Sequence, residues 1–299
     1  MFSGVRSQKE SRGALSRYRT CSRAEQARLA RGAAVSIEQI IVLAIVQGIT
    51  EFLPISSSGH LILVPALTGW PDQGQLTDVM THFGTLLAVL IYFWRDVLGM
   101  IKGGFELLRG KLTDEGRLAL YIIVATIPAV LFGVFLKKMG YADLERNVAV
   151  IAWNTIFYGI LMLIADQYGA QFKTIANVTL GSAVIIGLAQ ALALIPGTSR
   201  SGVTMTAARF LGFTRPDSAR FSFLLGIPAT AGAIVFTIGD ALATGQKITL
   251  DEIACAALTF VAGIAAIAFL MNLLKRISFL PFVLYRMALG GFLLVLLYT

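Results

Sequence analysis

The sequence predicts an all-α polytopic membrane protein with an inverted-topology repeat, each half a re-entrant helical hairpin plus three transmembrane helices. Three observations lead there. Of 299 residues, 56% are hydrophobic and only 14% charged, with mean hydropathy +0.75, whereas soluble domains are nearer a quarter charged. Long apolar runs alternate with two shorter runs interrupted by Gln, Glu and Pro. A shift of 143 residues lays Gln47 on Gln190, Ser56 on Ser199, Ser58 on Ser201 and Gly59 on Gly202, which marks an internal repeat.

Residues 1–35 carry eight Arg or Lys against two Glu, six of the net +8. With neither an apolar core nor a cleavage site, they resemble no signal peptide and read as a basic disordered extension. Cys21 and Cys255 support neither a disulfide framework nor a metal cluster. The basic balance fits loops and tails of a membrane protein, and no nucleic-acid partner is expected. The rest, 36–299, reads as one membrane domain, with repeats at about 36–172 and 173–299.

Ile37–Leu53 is apolar but broken by Gln47 and Glu51 and stopped by Pro54; Leu61–Trp70 is short and holds Pro65. Neither reaches the ~20 residues a span requires. They form the first expected hairpin, its irregular tip tolerated only where protein or water satisfies the backbone. Val79–Trp94, Leu118–Leu136 and Val148–Ala165 are the next three spans. Val178–Ile195, stopped at Pro196, and Val203–Phe213 make the second hairpin. Phe221–Ile238, Ile253–Leu274 and Phe282–Tyr298 follow as spans. Three crossings per half turn the second half over and bring the broken elements together near the midplane. With the loop Arg95–Arg117 cytoplasmic, the cytoplasmic side collects twelve basic residues, Arg209 and Arg286 among them, against four opposite. This orientation puts both termini outside, in conflict with the basic charge of residues 1–35.

Two stretches carry chemistry. Gln47 and Glu51, four apart, share a helix face and suit either a hard cation with waters or a packing patch. A carboxylate at bilayer depth costs about 3 kcal/mol and normally faces a polar cavity. Ser56, Ser57, Ser58 and His60 follow Pro54; one or two of the serines are expected as N-caps. Ser57 with His60 reads as a nucleophile beside a proton carrier. His82, at the mouth of a span, reads as a satisfied or interfacial histidine. The second stretch, Pro196 to Thr204, has two glycines, small hydroxyls and Arg200 leading into a helix. Helix N-terminal N–H groups with a guanidinium bind phosphate; the alternative for Arg200 is an ion pair with Glu51.

QGITEFLPISSSGH and PGTSRSGVT resemble the two signature motifs of undecaprenyl-diphosphate phosphatases of the bacitracin-resistance (BacA-like) family. The resemblance runs from about Ile37 to the C-terminus and takes in FSFLLGIPA and LLKRISFLPFVLYR. Where the family often has Glu at the first motif position, this chain has Gln47. The resemblance implies hydrolysis of undecaprenyl diphosphate to undecaprenyl phosphate and inorganic phosphate. This would recycle the lipid carrier of peptidoglycan synthesis in the bacterial inner membrane and confer bacitracin resistance. It implies Mg2+ or Ca2+ held by Glu51 and Gln47, and catalysis by Glu51, Ser57, His60 and Arg200. Gln47, Ser56, Ser58, Gly197, Thr198, Ser199, Ser201 and Thr204 would line the substrate site. Direct water attack is the alternative to Ser57. The expected partners are a polyprenyl diphosphate lipid, membrane lipids and, as one option, a second copy in a homodimer; Trp70, Trp94 and Tyr298 would sit at the interface. A transporter or flippase of prenyl phosphates would use the same architecture, and a protein whose polar tips only pack is a third reading.

Overall fold

The computed structural model describes residues 36–71, 73–140 and 147–298; the basic extension expected at 1–35 lies outside them. Eleven α-helices run in order among the described residues. They are α1 Ile37–Thr50, α2 Ser57–Thr68, α3 Gly74–Tyr92, α4 Trp94–Leu108, α5 Asp114–Lys138, α6 Val148–Tyr168, α7 Leu180–Leu192, α8 Arg200–Phe210, α9 Arg215–Ala243, α10 Leu250–Leu273 and α11 Leu280–Tyr298. The helix starts follow capping chemistry: Thr113, Asn147, Thr214 and Thr249 each accept a backbone N–H from the first turn, which satisfies otherwise orphaned donors.

Five helices, α5, α6, α9, α10 and α11, are each long and apolar enough to cross a membrane; α3 with α4 makes up to a sixth, bent by 82°. The chain is thus an all-α polytopic membrane protein. The helix α3 is not among those five, and its buried face carries Thr77, Thr81 and Thr85 at four-residue spacing. The pairs α1–α2 and α7–α8 are the short broken elements, and apart from α4 each is followed by three long helices. Contacts follow that order: α3 packs on α10 as α5 does on α9, and α1 on α10 as α7 does on α5.

Small residues set these contacts. A Cβ on Gly48 would lie 2.5 Å from Ala262 Cβ, and one on Gly84 would lie 2.3 Å from the Ala256 carbonyl, so α1 and α3 seat against the backbone of α10. Close backbone approach of this kind holds helices together where lipid removes the usual hydrophobic drive. The first tip is plugged into the core by Phe52, fully buried and edge-on to Phe223 at 5.4 Å. Burying such a ring is worth about 2–3 kcal/mol.

Two sequence expectations require correction. The loop Arg95–Arg117 contains the helix α4; at a steep angle to α3 and with Leu98, Ile101 and Phe105 exposed, it is amphipathic, and its charges hid it among loop residues. Arg209 and Arg286, counted as cytoplasmic loop charges, are buried inside helices at 0% and 1% exposure. Both find carbonyls enough to replace water. Arg209 donates to Asp166 Oδ1 and to the carbonyls of Asp166, Gly169, Ala170 and Phe213, closing the end of α6. The same carboxylate accepts from Arg215 Nε at 2.7 Å and from the Phe279 N–H at 2.9 Å. Arg209→Ala strands all these acceptors, and stability should fall by about 3–5 kcal/mol; denaturant unfolding of the purified protein in detergent measures it.

Candidate active site

The chain turns at both tips through a conformation L-residues avoid. Ser56 has φ 76° and Ser199 φ 69°, the two positive-φ non-glycine residues among those described. Such backbone costs on the order of 1–3 kcal/mol and collects at functional sites. The two serines are 143 residues apart, and each is followed by the first residue of a short helix: Ser57 opens α2 and Arg200 opens α8. The turn therefore delivers a hydroxyl and a guanidinium to matched places.

Both reach Glu51. Arg200 Nη2 donates to Glu51 Oε1 at 3.0 Å, and Ser57 Oγ donates to Oε2 at 2.9 Å. Gln47 Nε2, one turn back on α1, donates to Oε2 at 3.1 Å. His82 Nε2 stands 3.8 Å from the same oxygen, its Nδ1–H donating to the Asp78 carbonyl at 2.8 Å. The carboxylate is 8% exposed and Arg200 19%, so charge meets charge largely out of bulk water. Among the described residues, Arg200 Nη1 and Gln47 Oε1 are buried without a hydrogen-bond partner. Two orphaned polar atoms flanking one carboxylate are what a polar ligand or ion would satisfy.

Arg286 of α11 joins the tips from behind. It donates to Pro54 O of the first tip, to Gly197 O and Thr198 O of the second, and to Thr155 O and Asn154 O of α6, at 3.0–3.5 Å. Ser201 Oγ adds a direct link to Leu53 O at 3.3 Å. Gly197 is required where it is: at φ +84°, its missing Cβ would lie 2.4 Å from the Ile151 carbonyl.

The profile of the bacitracin resistance protein BacA family matches residues 40–292. The chain belongs to the BacA family. It is 49% identical over 267 residues to an undecaprenyl-diphosphatase of Jannaschia sp. (strain CCS1), covering 89% of this chain and all of that relative. It is 48% identical over 274 residues to one of Erythrobacter litoralis (84% and 96% covered), and 49% identical over 266 residues to one of Maricaulis maris (87% and 99% covered).

In this BacA member the structure brings Gln47, Glu51, Ser57 and Arg200 into one cluster, and of the two sequence readings of Arg200 it shows the ion pair with Glu51. His60 is turned elsewhere: its Nδ1 meets the Ser56 carbonyl at 2.7 Å and its Nε2 meets the Tyr285 hydroxyl at 2.5 Å. Ser199 caps α8, accepting the Gly202 N–H at 3.2 Å, and Thr204 donates back to the Arg200 carbonyl at 2.8 Å. With Ser201 and Thr198 they are tip-building groups, and Ser201, Thr204 and Thr198 are fully or almost fully buried. The Ser58 side chain lies outside the described residues. His82, Tyr285 and Arg286 are near-site groups that sequence reasoning missed; the four-residue spacing of Asp78 and His82 on α3 was the available signal for the first.

Gly226 of α9 leaves the space Arg200 occupies: a Cβ there would lie 1.4 Å from Nη1 and 2.5 Å from Cζ. Gly226→Ala should raise intrinsic helix stability yet unseat the guanidinium. Activity is expected to fall about 10²-fold, the scale of a 1 Å misplacement, with folded yield unchanged, as phosphate release per mole of monodisperse protein will show.

Proposed function

We propose that the chain hydrolyses undecaprenyl diphosphate to undecaprenyl phosphate and inorganic phosphate in the bacterial inner membrane, recycling the carrier lipid and giving bacitracin resistance. The observation that carries this is the Ser57 hydroxyl donating to a buried carboxylate that Arg200 grips from the opposite tip. A nucleophile, a base and an anion holder thereby meet at one point. The full-length likeness to undecaprenyl-diphosphatases supports the same reading.

In this mechanism the diphosphate enters with its terminal phosphate against Arg200 and the first N–H groups of α8, where the helix dipole favours anions. Glu51 Oε2 takes the Ser57 proton as Oγ bonds to the terminal phosphorus. The bridging P–O bond breaks and undecaprenyl phosphate leaves. Water then cleaves the phosphoserine, releasing inorganic phosphate and returning the proton to Ser57. Arg200, turning from the carboxylate toward phosphate, offsets the charge that grows on the equatorial oxygens. His60 carries the proton needed at the leaving oxygen.

The donor set is compatible with a divalent cation. No group of three His, Cys, Asp or Glu side chains occurs among the described residues, but Glu51 with the orphaned Gln47 Oε1 offers two hard oxygens. Mg2+ or Ca2+ held by these two oxygens would supply charge neutralisation for the diphosphate. The matched helix pairings also support our reading of the halves as oppositely oriented repeats.

The test is phosphate release from a prenyl diphosphate by detergent-purified protein, with and without chelator. No second compartment exists there, so a flippase would release nothing. Arg200→Ala and Glu51→Ala should each lose about 10²–10³-fold or more in turnover. Rapid quench with terminally labelled substrate should label wild-type protein and leave Ser57→Ala unlabelled; turnover without any labelled serine would mean direct attack by water.

A further inference from the structure

We infer that Tyr285 is a positioning residue: the Ser56 carbonyl selects the Nδ1–H tautomer of His60, and the Tyr285 hydroxyl, donating to Nε2, anchors the ring in the orientation that keeps that contact. This rests on the reading above of His60 as proton carrier, and it names the group that anchors the ring through its second nitrogen.

The hydrogen-bond chemistry leaves one arrangement for a neutral ring. A backbone carbonyl only accepts, so at 2.7 Å from Ser56 O the Nδ1 atom must be the protonated nitrogen. Nε2 is then an acceptor, and the Tyr285 hydroxyl at 2.5 Å is the donor. The two rings also stack, with centroids 5.6 Å apart and planes within 10°. Neither partner is there by accident of a loose surface. The Ser56 carbonyl belongs to the strained turn with φ 76°, which aims it back at His60. Tyr285 adjoins Arg286, whose five bonds to tip and α6 carbonyls clamp the register of α11. The clamp therefore delivers the hydroxyl to the imidazole.

Tyr285 is 44% exposed. Hydrogen-bond partners on both ring nitrogens fix orientation and tautomer wherever an imidazole must act from one nitrogen.

The chain has only two histidines, His60 and His82, so 15N-histidine labelling gives a spectrum of two imidazoles. Wild-type His60 should show the Nδ1–H tautomer, and in Tyr285→Phe, which keeps the stacked ring, a population of the Nε2–H form should appear. Turnover in Tyr285→Phe should fall about 10-fold, with KM within twofold, as the hydroxyl acts through His60 and not through substrate. In a His60→Gln background the same change should cost nothing further. An unchanged nitrogen spectrum in Tyr285→Phe, or an equal loss of turnover in both backgrounds, overturns the proposal. If His60→Gln alone turns over like wild type, the proton-carrier reading of His60 fails, and the role of Tyr285 in turnover fails with it. A damaged His60→Gln with a silent spectrum overturns the Tyr285 contact alone.

Discussion

The Glu51 carboxylate is the join on which the two tips depend. A carboxylate this far from water is tolerated only if its oxygens are fully engaged, and the donors come from both halves of the chain: Gln47 and Ser57 from the first, Arg200 from the second. Ser57 and Arg200 occupy the same register position in the repeat, each the opening residue of its short helix. The repeat thus places two donors symmetrically and lets one acceptor break the symmetry. A hydroxyl from one tip and a guanidinium from the other are thereby held by one carboxylate.

The remaining elements hold this arrangement in place. Arg286 replaces water for carbonyls that irregular backbone leaves open at membrane depth, which answers the main objection to putting loops there. Phe52 and Phe223 lock the first tip into the core, and Gly226 gives Arg200 its room. Thr204, bonded to Ser222 at 2.6 Å, ties the start of α8 to α9, the helix that carries that glycine. Asp96 of α4 and Arg220 of α9 form a two-point ion pair, so the steeply angled α4 braces the same helix.

Much of this was legible in the sequence because it was written in residue types that lipid penalises. Gln47, Glu51 and Arg200 were conspicuous against apolar neighbours, and Pro54 and Pro196 marked where helices must stop. Register between the halves was visible because the hydroxyls of both tips recur at one shift. What escaped had a common cause: its signal lay across the fold. His82 looked interfacial because nothing local shows that the buried threonine face of α3 turns it toward Glu51. Arg209 and Arg286 were read as loop charges because the carbonyls that satisfy them come from other helices. The α4 helix was hidden because an amphipathic surface helix has the composition of a charged loop. Gly226 could not be singled out among the chain's 29 glycines without seeing the guanidinium against it.

One asymmetry has a stoichiometric consequence. The shift that carries Gln47 to Gln190 carries Glu51 to Leu194, which is 42% exposed. The second half keeps the amide, buried and without a protein partner among the described residues, but has an aliphatic side chain where the first has its acid. One carboxylate per chain therefore serves both tips, with no counterpart at the matching position of the second half.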